Sequence, residues 1–278
     1  MVQHARGCAR QAKARPTLAV HGWRKAIRRA RALLRLCADG LDAAEREAVS
    51  DALRAAQRAV SGRRDVDVLV PLIRTLGRQK SLDPGAKRAL GRVRRGLRRS
   101  PREAGPAVFA EMATHFAPLG ATSRRFEAGL PAGFAWDDIG RGFAEGYRQA
   151  RRAFSRAKKR RSDARFHELR KRVKTMHYQT ELLASTGSVR AERLRVKLAD
   201  LARDQGDVTD LMLLASAARG VLPAEEPETL ALQAALERWI KDKRAPVDRT
   251  AAKLFRRTPR AAAARIVPRA RACWLALG

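Results

Sequence analysis

Two stretches of this chain repeat one another. Residues 21–35 carry His21, Arg24, Lys25, Arg28 and Arg31, and residues 167–181 carry His167, Arg170, Lys171, Lys174 and His177, displaced by 146 positions. The shared spacing of i, i+3, i+4, i+7 and i+10 gathers each set on one broad face of a helix. The other face is of core type, with Trp23, Ile27, Ala30, Leu33, Leu34 and Cys37 in the first copy. In the second copy it holds Leu169, Val173, Met176, Thr180 and Leu183. Self-similarity over this distance predicts two halves built alike, each presenting a basic stripe backed by a core. Arg35 extends the first stripe by one more turn.

Helical periodicity continues almost everywhere else. Apolar spacing predicts helices at 16–38, 42–60, 64–79, 84–99, 102–117, 137–161, 163–185, 190–205, 207–219, 228–257 and 260–277. Pro16 suits a first helical turn, Asp39-Gly40 ends the run, and Ser162 reads as an N-cap. Val66-Asp67-Val68-Leu69-Val70 admits a short strand, but Val66, Leu69, Val70 and Ile73 fit a helix, which the surroundings favour. Ser61-Gly62-Arg63-Arg64-Asp65 and Gly206-Asp207-Val208-Thr209-Asp210 are predicted to end a helix in each half. Asp65, Asp67, Asp207 and Asp210 are read as caps or arginine partners. Pro118, Gly120, Gly129, Pro131 and Gly133 predict an irregular connection over 118–136, dividing 16–117 from 137–277. Residues 1–15, with four basic groups and no acid, read as a basic arm rather than a signal or transit peptide. Trp23, Trp136, Trp239 and Trp274 are expected in the core. The fold class is all-α, in a single domain.

Charge narrows the partners. Sixty Lys and Arg against 28 Asp and Glu leave a net charge of +32, and 48 of the basic residues are Arg. A GC-rich genome explains the preference for Arg over Lys but not the shortage of acids. With 45% hydrophobic residues the chain is too apolar for a disordered basic tail. The planar guanidinium fork suits phosphate oxygens. A second basic surface is expected from Arg88, Arg92, Arg95 and Arg99 on the segment 84–99. No run of apolar residues is long enough to insert in a membrane. Three scattered cysteines, Cys8, Cys37 and Cys273, argue against a disulfide framework or a zinc site. His167 and His177 stand ten residues apart, unlike a helical metal pair, so no metal or cofactor is expected. No Gly-rich phosphate loop or nucleophile and base arrangement stands out, and the chain is read as a binding protein, not an enzyme.

The paired motifs resemble the CHAD family, the conserved histidine α-helical domain. The resemblance rests on His21-Gly22-Trp23-Arg24-Lys25 with Arg28 and Arg29, and on His167-Glu168-Leu169-Arg170-Lys171-Arg172-Val173-Lys174. It also rests on the two Gly/Arg/Asp segments and on Tyr147-Arg148 with Arg151-Arg152, and runs from about 16 to 276. It implies two pseudo-symmetric four-helix bundles around a basic cavity that binds inorganic polyphosphate, and association with polyphosphate granules in the cytoplasm. The expected ligand contacts are His21, Arg24, Lys25, Arg28, Arg31, Arg35, Arg148, Arg151, Arg152, His167, Arg170, Lys171, Lys174 and His177. Relatives often carry Arg at the place of His177, which would make that contact pH-dependent. Many fuse the domain to a triphosphate-hydrolysing tunnel domain, for which this chain leaves no room. Nucleic acid is the competing polyanion, and hydrolysis of a phosphate polymer is the remaining alternative. Few of the 14 aromatics are expected outside the core, which disfavours stacking on single strands.

Overall fold

The computed structural model describes residues 16–58, 64–99, 112, 114–129 and 135–276. Those residues form ten α-helices and no strand, in keeping with the all-α reading. In chain order they are α1 (Pro16–Leu36), α2 (Ala43–Arg58), α3 (Arg64–Gly77), α4 (Pro84–Arg99), α5 (Phe116–Ala128), α6 (Trp136–Lys159), α7 (Asp163–Ala184), α8 (Val189–Val221), α9 (Pro227–Leu254) and α10 (Pro259–Leu275). A 3-10 turn, Ala38–Gly40, leads from α1 to α2.

Short polar side chains start several of these helices by accepting from otherwise unpaired N–H groups. Asp42 Oδ2 accepts from Ala44 N at 2.8 Å, and Asp83 Oδ1 from Ala86 N at 3.0 Å. Ser162 Oγ accepts from Arg165 N at 3.4 Å, as the sequence predicted. Val66–Val70 lies within α3, so the helical alternative holds.

Apolar side chains collect in three clusters. Phe143, Tyr147, Phe166, Leu169, Val173, Leu198, Leu201, Val247, Phe255 and Ile266 join α6, α7, α10, the first half of α8 and the second half of α9. Leu69, Ile73, Leu90, Val93, Leu211, Leu214, Leu232 and Leu236 join α3 and α4 to the remaining halves of α8 and α9. Trp23, Ile27, Leu34, Val49, Leu53 and Leu119 join α1, α2 and α5. Within the last cluster, Trp23 is fully buried and its indole donates to Ala56 O at 2.8 Å, clamping α1 to α2.

Four sequence expectations need correction. The two helices predicted at 190–205 and 207–219 are one 33-residue helix. Gly206 does not turn the chain; it lets α7 approach, since a Cβ there would stand 3.2 Å from Arg170 Nη1. Asp207 is therefore no cap but pairs with Lys243 across to α9 at 3.1 Å. The connection at 118–136 is helical over Phe116–Ala128. Pro118 falls in the first turn, where its missing N–H leaves no bond unmade. Trp274 is 56% exposed, because the buried face of α10 ends at Ala270, one turn earlier. The helix predicted at 102–117 lies largely outside the described residues, as do residues 1–15 and the side chains of Asp65 and Asp67.

Two glycines set opposite expectations for stability. A Cβ at Gly142 would fall 2.0 Å from Leu36 O, so Gly142→Ala must push α6 away from α1. We expect a loss of roughly 2 kcal/mol or more in urea unfolding. A Cβ at Gly91 would meet only the tip of Arg95, at 3.8 Å. Gly91→Ala should stabilise by about 0.5–1 kcal/mol through backbone entropy.

Candidate polyanion-binding site

The two repeated helices pack against each other through the C-terminal ends of their basic stripes. Arg29 forks onto Glu181, with Nε to Oε2 at 2.8 Å and Nη2 to Oε1 at 2.5 Å. Gln179 Nε2 donates to Ala32 O at 3.4 Å, and Arg35 Nη1 donates to Thr175 Oγ1 at 3.1 Å. Partners on α7 descend as residues on α1 ascend, so the helices are antiparallel. His21 and His167 consequently lie toward opposite ends of the pair, separated by roughly 33 Å along it at 1.5 Å per residue.

Burial divides the expected ligand contacts. His21, Arg35, Arg148, Arg151, Arg152, His167 and Lys171 are exposed, and Arg24, Lys25, Arg28, Arg31, Lys174 and His177 are partly buried. Arg170 is not at the surface: 6% of it is exposed, and its Nη1 donates to Ala202 O at 2.7 Å. The expectation that Arg170 holds its fork toward a ligand is corrected. Its guanidinium meets Gly206 with the two Nη atoms nearest and staples α7 to α8, which the absence of a Cβ permits. His177 is also altered in character. Burial is the largest influence on it and holds the imidazole below its ordinary pKa; Glu181 and the Arg195 backbone oppose that, while the charges of Arg195 and Lys174 add to it. It is a neutral group at neutral pH, not a cation.

Around this crossing the guanidinium groups outnumber their carboxylates. Arg35 is exposed yet surrounded by protein, and its pKa is pushed down to about 10 by desolvation, then by Arg31 and Arg172, against Glu168. Arg31 is lowered by desolvation and by Arg54, and donates to Gln57 Oε1, a neutral partner. Arg172 bonds Glu168 at 2.7 Å and also donates to Gln149 of α6. A series of cations thus runs from Arg54 on α2, through Arg31 and Arg35 on α1, to Arg172 on α7, which reaches Gln149 of α6. A depressed arginine pKa means that positive charge is locally disfavoured, and a bound anion relieves it. Arg29 is the opposite case, raised by its hydrogen bond to Glu181.

A cavity of about 360 Å³ opens between α1 and α2 within this series, lined by Arg31, Arg35, Arg46, Arg54, Glu47, Ser50, Leu34, Ala38 and Ala43. Arg46, Arg54 and Arg172 were not among the expected contacts. The i, i+4, i+8 series Arg46, Ser50, Arg54 was available as a signal, but acids interleaved along α2 made it resemble an ordinary solvated face. A larger groove of about 1170 Å³ runs between α6 and α10. There Arg141 pairs with Asp39 and Asp138, and Arg148 with Glu145, so those cations are largely neutralised. The second basic surface is likewise reduced. Arg88 bonds Glu228 at 2.6 Å, and Arg92 pairs with Glu226 and Glu228, so the acids that cap and open α9 cover two of its four arginines. Arg95 and Arg99 remain exposed.

A family model for the CHAD domain matches residues 1–219. The chain belongs to the CHAD family. No curated protein and no solved structure matches it. Helices α9 and α10 follow the matched span but share its core, through Leu232 and Leu236 in one cluster and Val247, Ile266 and Val267 in another. Among the described residues, no three His, Cys, Asp or Glu converge as a metal site would, and no helix is long and apolar enough to cross a membrane.

Two measurements separate scaffold from surface in this motif. Arg170→Ala should cost about 1.5–3 kcal/mol, the range for a buried charged hydrogen bond. Lys171→Ala, one residue along and exposed, should stay within about 0.5 kcal/mol. For His177, a folded pKa below the unfolded value means the unfolded chain takes up the proton first. Its contribution is therefore present above about pH 6.5 and lost as pH falls through the folded value. Urea unfolding at pH 7.5 and pH 5 should show a smaller drop for His177→Gln than for the unaltered chain.

Proposed function

We propose that this CHAD protein is a non-enzymatic binder of inorganic polyphosphate. The observation that carries this reading is the line of four guanidinium groups, Arg54, Arg31, Arg35 and Arg172, against two paired carboxylates, Asp51 and Glu168. A linear polyanion with a charge on every repeat matches a line of cations better than it matches one pocket. Arg31 and Arg35 offer forks to phosphate oxygens, while Lys171, Lys174 and Lys25 act as mobile point charges beside them. CHAD domains are linked to polyphosphate binding in general, which agrees in chemistry with the track.

The repeat supports a pseudo-twofold arrangement of the site. A displacement of 146 residues carries Arg29 onto Thr175 and Arg35 onto Glu181, so the contacts Arg29–Glu181 and Arg35–Thr175 are counterparts across an axis near Ala32 and Tyr178. The reading therefore has two basic arms, one on each side of the crossing, within one basic groove. His21, Arg24, Lys25 and Arg28 belong to one arm, and His167, Lys171 and Lys174 to the other. Association with polyphosphate granules in the cytoplasm follows as the cellular counterpart of this binding.

Competition decides between polyphosphate and nucleic acid. Long-chain polyphosphate should displace duplex DNA of equal charge in a fluorescence anisotropy assay, with affinity falling steeply as salt rises. The double variant Arg35→Glu plus Lys171→Glu should weaken polyphosphate binding by about 100-fold or more, because it turns two attractive positions into repulsive ones. Both side chains are exposed, so circular dichroism should remain that of the unaltered chain. Preferential retention of DNA would replace this reading with a nucleic-acid one, and unchanged affinity would remove the site assignment. Phosphate release above background would contradict the non-enzymatic role.

A further inference from the structure

The cavity between α1 and α2 differs in shape from the track it joins. Four arginines face it, Arg31 and Arg35 from α1 and Arg46 and Arg54 from α2, against one carboxylate, Glu47. Ser50 adds a hydroxyl, and Leu34, Ala38 and Ala43 form an apolar wall. At about 360 Å³ it has the size of a small-molecule pocket rather than of an open channel. The arginines are held in place by neutral or local partners. Arg31 donates to Gln57, Arg46 Nη1 to Ala38 O at 3.3 Å, and Arg54 pairs with Asp51. Arg35 belongs to both parts: it lines the cavity and reaches Thr175 on α7, beside Arg172. The cavity is therefore a seat with a basic exit.

Resting on the polyphosphate reading, we propose that this cavity is a chain-end site, which takes the terminal phosphates of a linear polyphosphate while the polymer leaves along Arg35 and Arg172. The two kinds of phosphate differ in charge density. An internal phosphate carries one negative charge. A terminal phosphate has a second ionisation near pH 6 and carries close to two charges at neutral pH, by analogy with phosphomonoesters, about −1.5 to −2. Converging guanidinium groups reward the denser charge, and forks from two helices meet its three terminal oxygens from different sides. A line of cations alone has no such preference. The proposal also explains why α2 contributes arginines at one end of the series, where a through-going polymer would need none beyond α1.

The test compares ligands with and without ends. Linear tripolyphosphate and cyclic hexametaphosphate are titrated calorimetrically into the full chain at fixed salt and pH 7.5. The ring carries more negative charge but has no terminus, so binding by charge alone favours the ring. The chain-end site predicts that the linear compound binds tighter by about tenfold or more. Arg46→Ala, which leaves Arg54, Arg31 and Arg35 in place, should remove most of that preference while long-chain polyphosphate, held along the track, keeps its affinity within about threefold. Arg46 is exposed on α2, and thermal unfolding checks that the variant folds. Comparison of the two ligands on the unaltered chain needs no variant. Equal or tighter binding of the ring, with long-chain polyphosphate still bound, overturns the chain-end site alone. No binding of long-chain polyphosphate overturns the broader reading, and the chain-end site with it.

Discussion

Packing two cationic helices side by side is the constraint on which the rest of this molecule depends. Like charges 4 Å apart repel by on the order of 4 kcal/mol at a dielectric typical of protein surfaces. Stripe-to-stripe contact between α1 and α7 is possible because the crossing itself carries other chemistry. Ala32 presents no charge, Gln179 and Thr175 accept or donate without one, and Glu181 takes the fork of Arg29. Glu181 loses solvation there, which raises its pKa, but Arg29, His177 and Lys25 outweigh this and leave it below the usual carboxylate range. The cations that remain are displaced to either side of the crossing, where few acids follow them.

That arrangement needs a rigid backing, and α8 supplies it. A helix of 33 residues spans roughly 50 Å, long enough to serve two core clusters in succession. Its first half packs with α7 through Leu198 and Leu201, and its second half with α3 and α4 through Leu211, Leu214 and Ala218. Helix α9 is divided the same way. The clusters therefore do not coincide with the two repeats; the second cluster draws on both. Separation of the chain into halves at 118–136 would divide that cluster's hydrophobic surface, so neither half has a reason to fold with its core complete.

Much of this was legible in the residues, and the failures share a physical cause. Apolar periodicity located α1, α4, α6 and α7 to within a few residues, since each buries a single clear face. Gly206-Asp207 read as a helix stop because glycine usually relieves backbone conformation. Here it relieves a steric contact with a side chain 36 positions away, which no local pattern encodes. Pro118 and Gly120 read as loop for the same reason: position within the first turn, not residue type, decides whether proline is tolerated. Arg46, Arg54 and Arg172 were missed as site residues because they face the site only after α2 and α7 have packed on α1. Arg88 and Arg92 were counted as free surface because the acids that cover them, Glu226 and Glu228, lie far along the chain.

Arg170 shows what the repeated motif encodes. Its spacing placed it with the ligand-facing cations, and its chemistry allowed that reading. The structure instead uses the same planar fork inward, where it satisfies a carbonyl of α8 and packs against Gly206. A lysine could carry the charge but not the rigid, directed contact. The motif is therefore part framework and part surface, and a roster of its basic residues overstates the number that meet a ligand. What distinguishes the surface members is the company they keep. Arg29, Arg88 and Arg92 have carboxylates in reach, whereas Arg31 and Arg35 crowd with other guanidinium groups and have their pKa values lowered. A net charge of +32 says only that acids are scarce overall. What sets Arg31 and Arg35 apart is local: the charged groups that most affect them are chiefly other guanidinium groups, whatever the acid content of the helices around them.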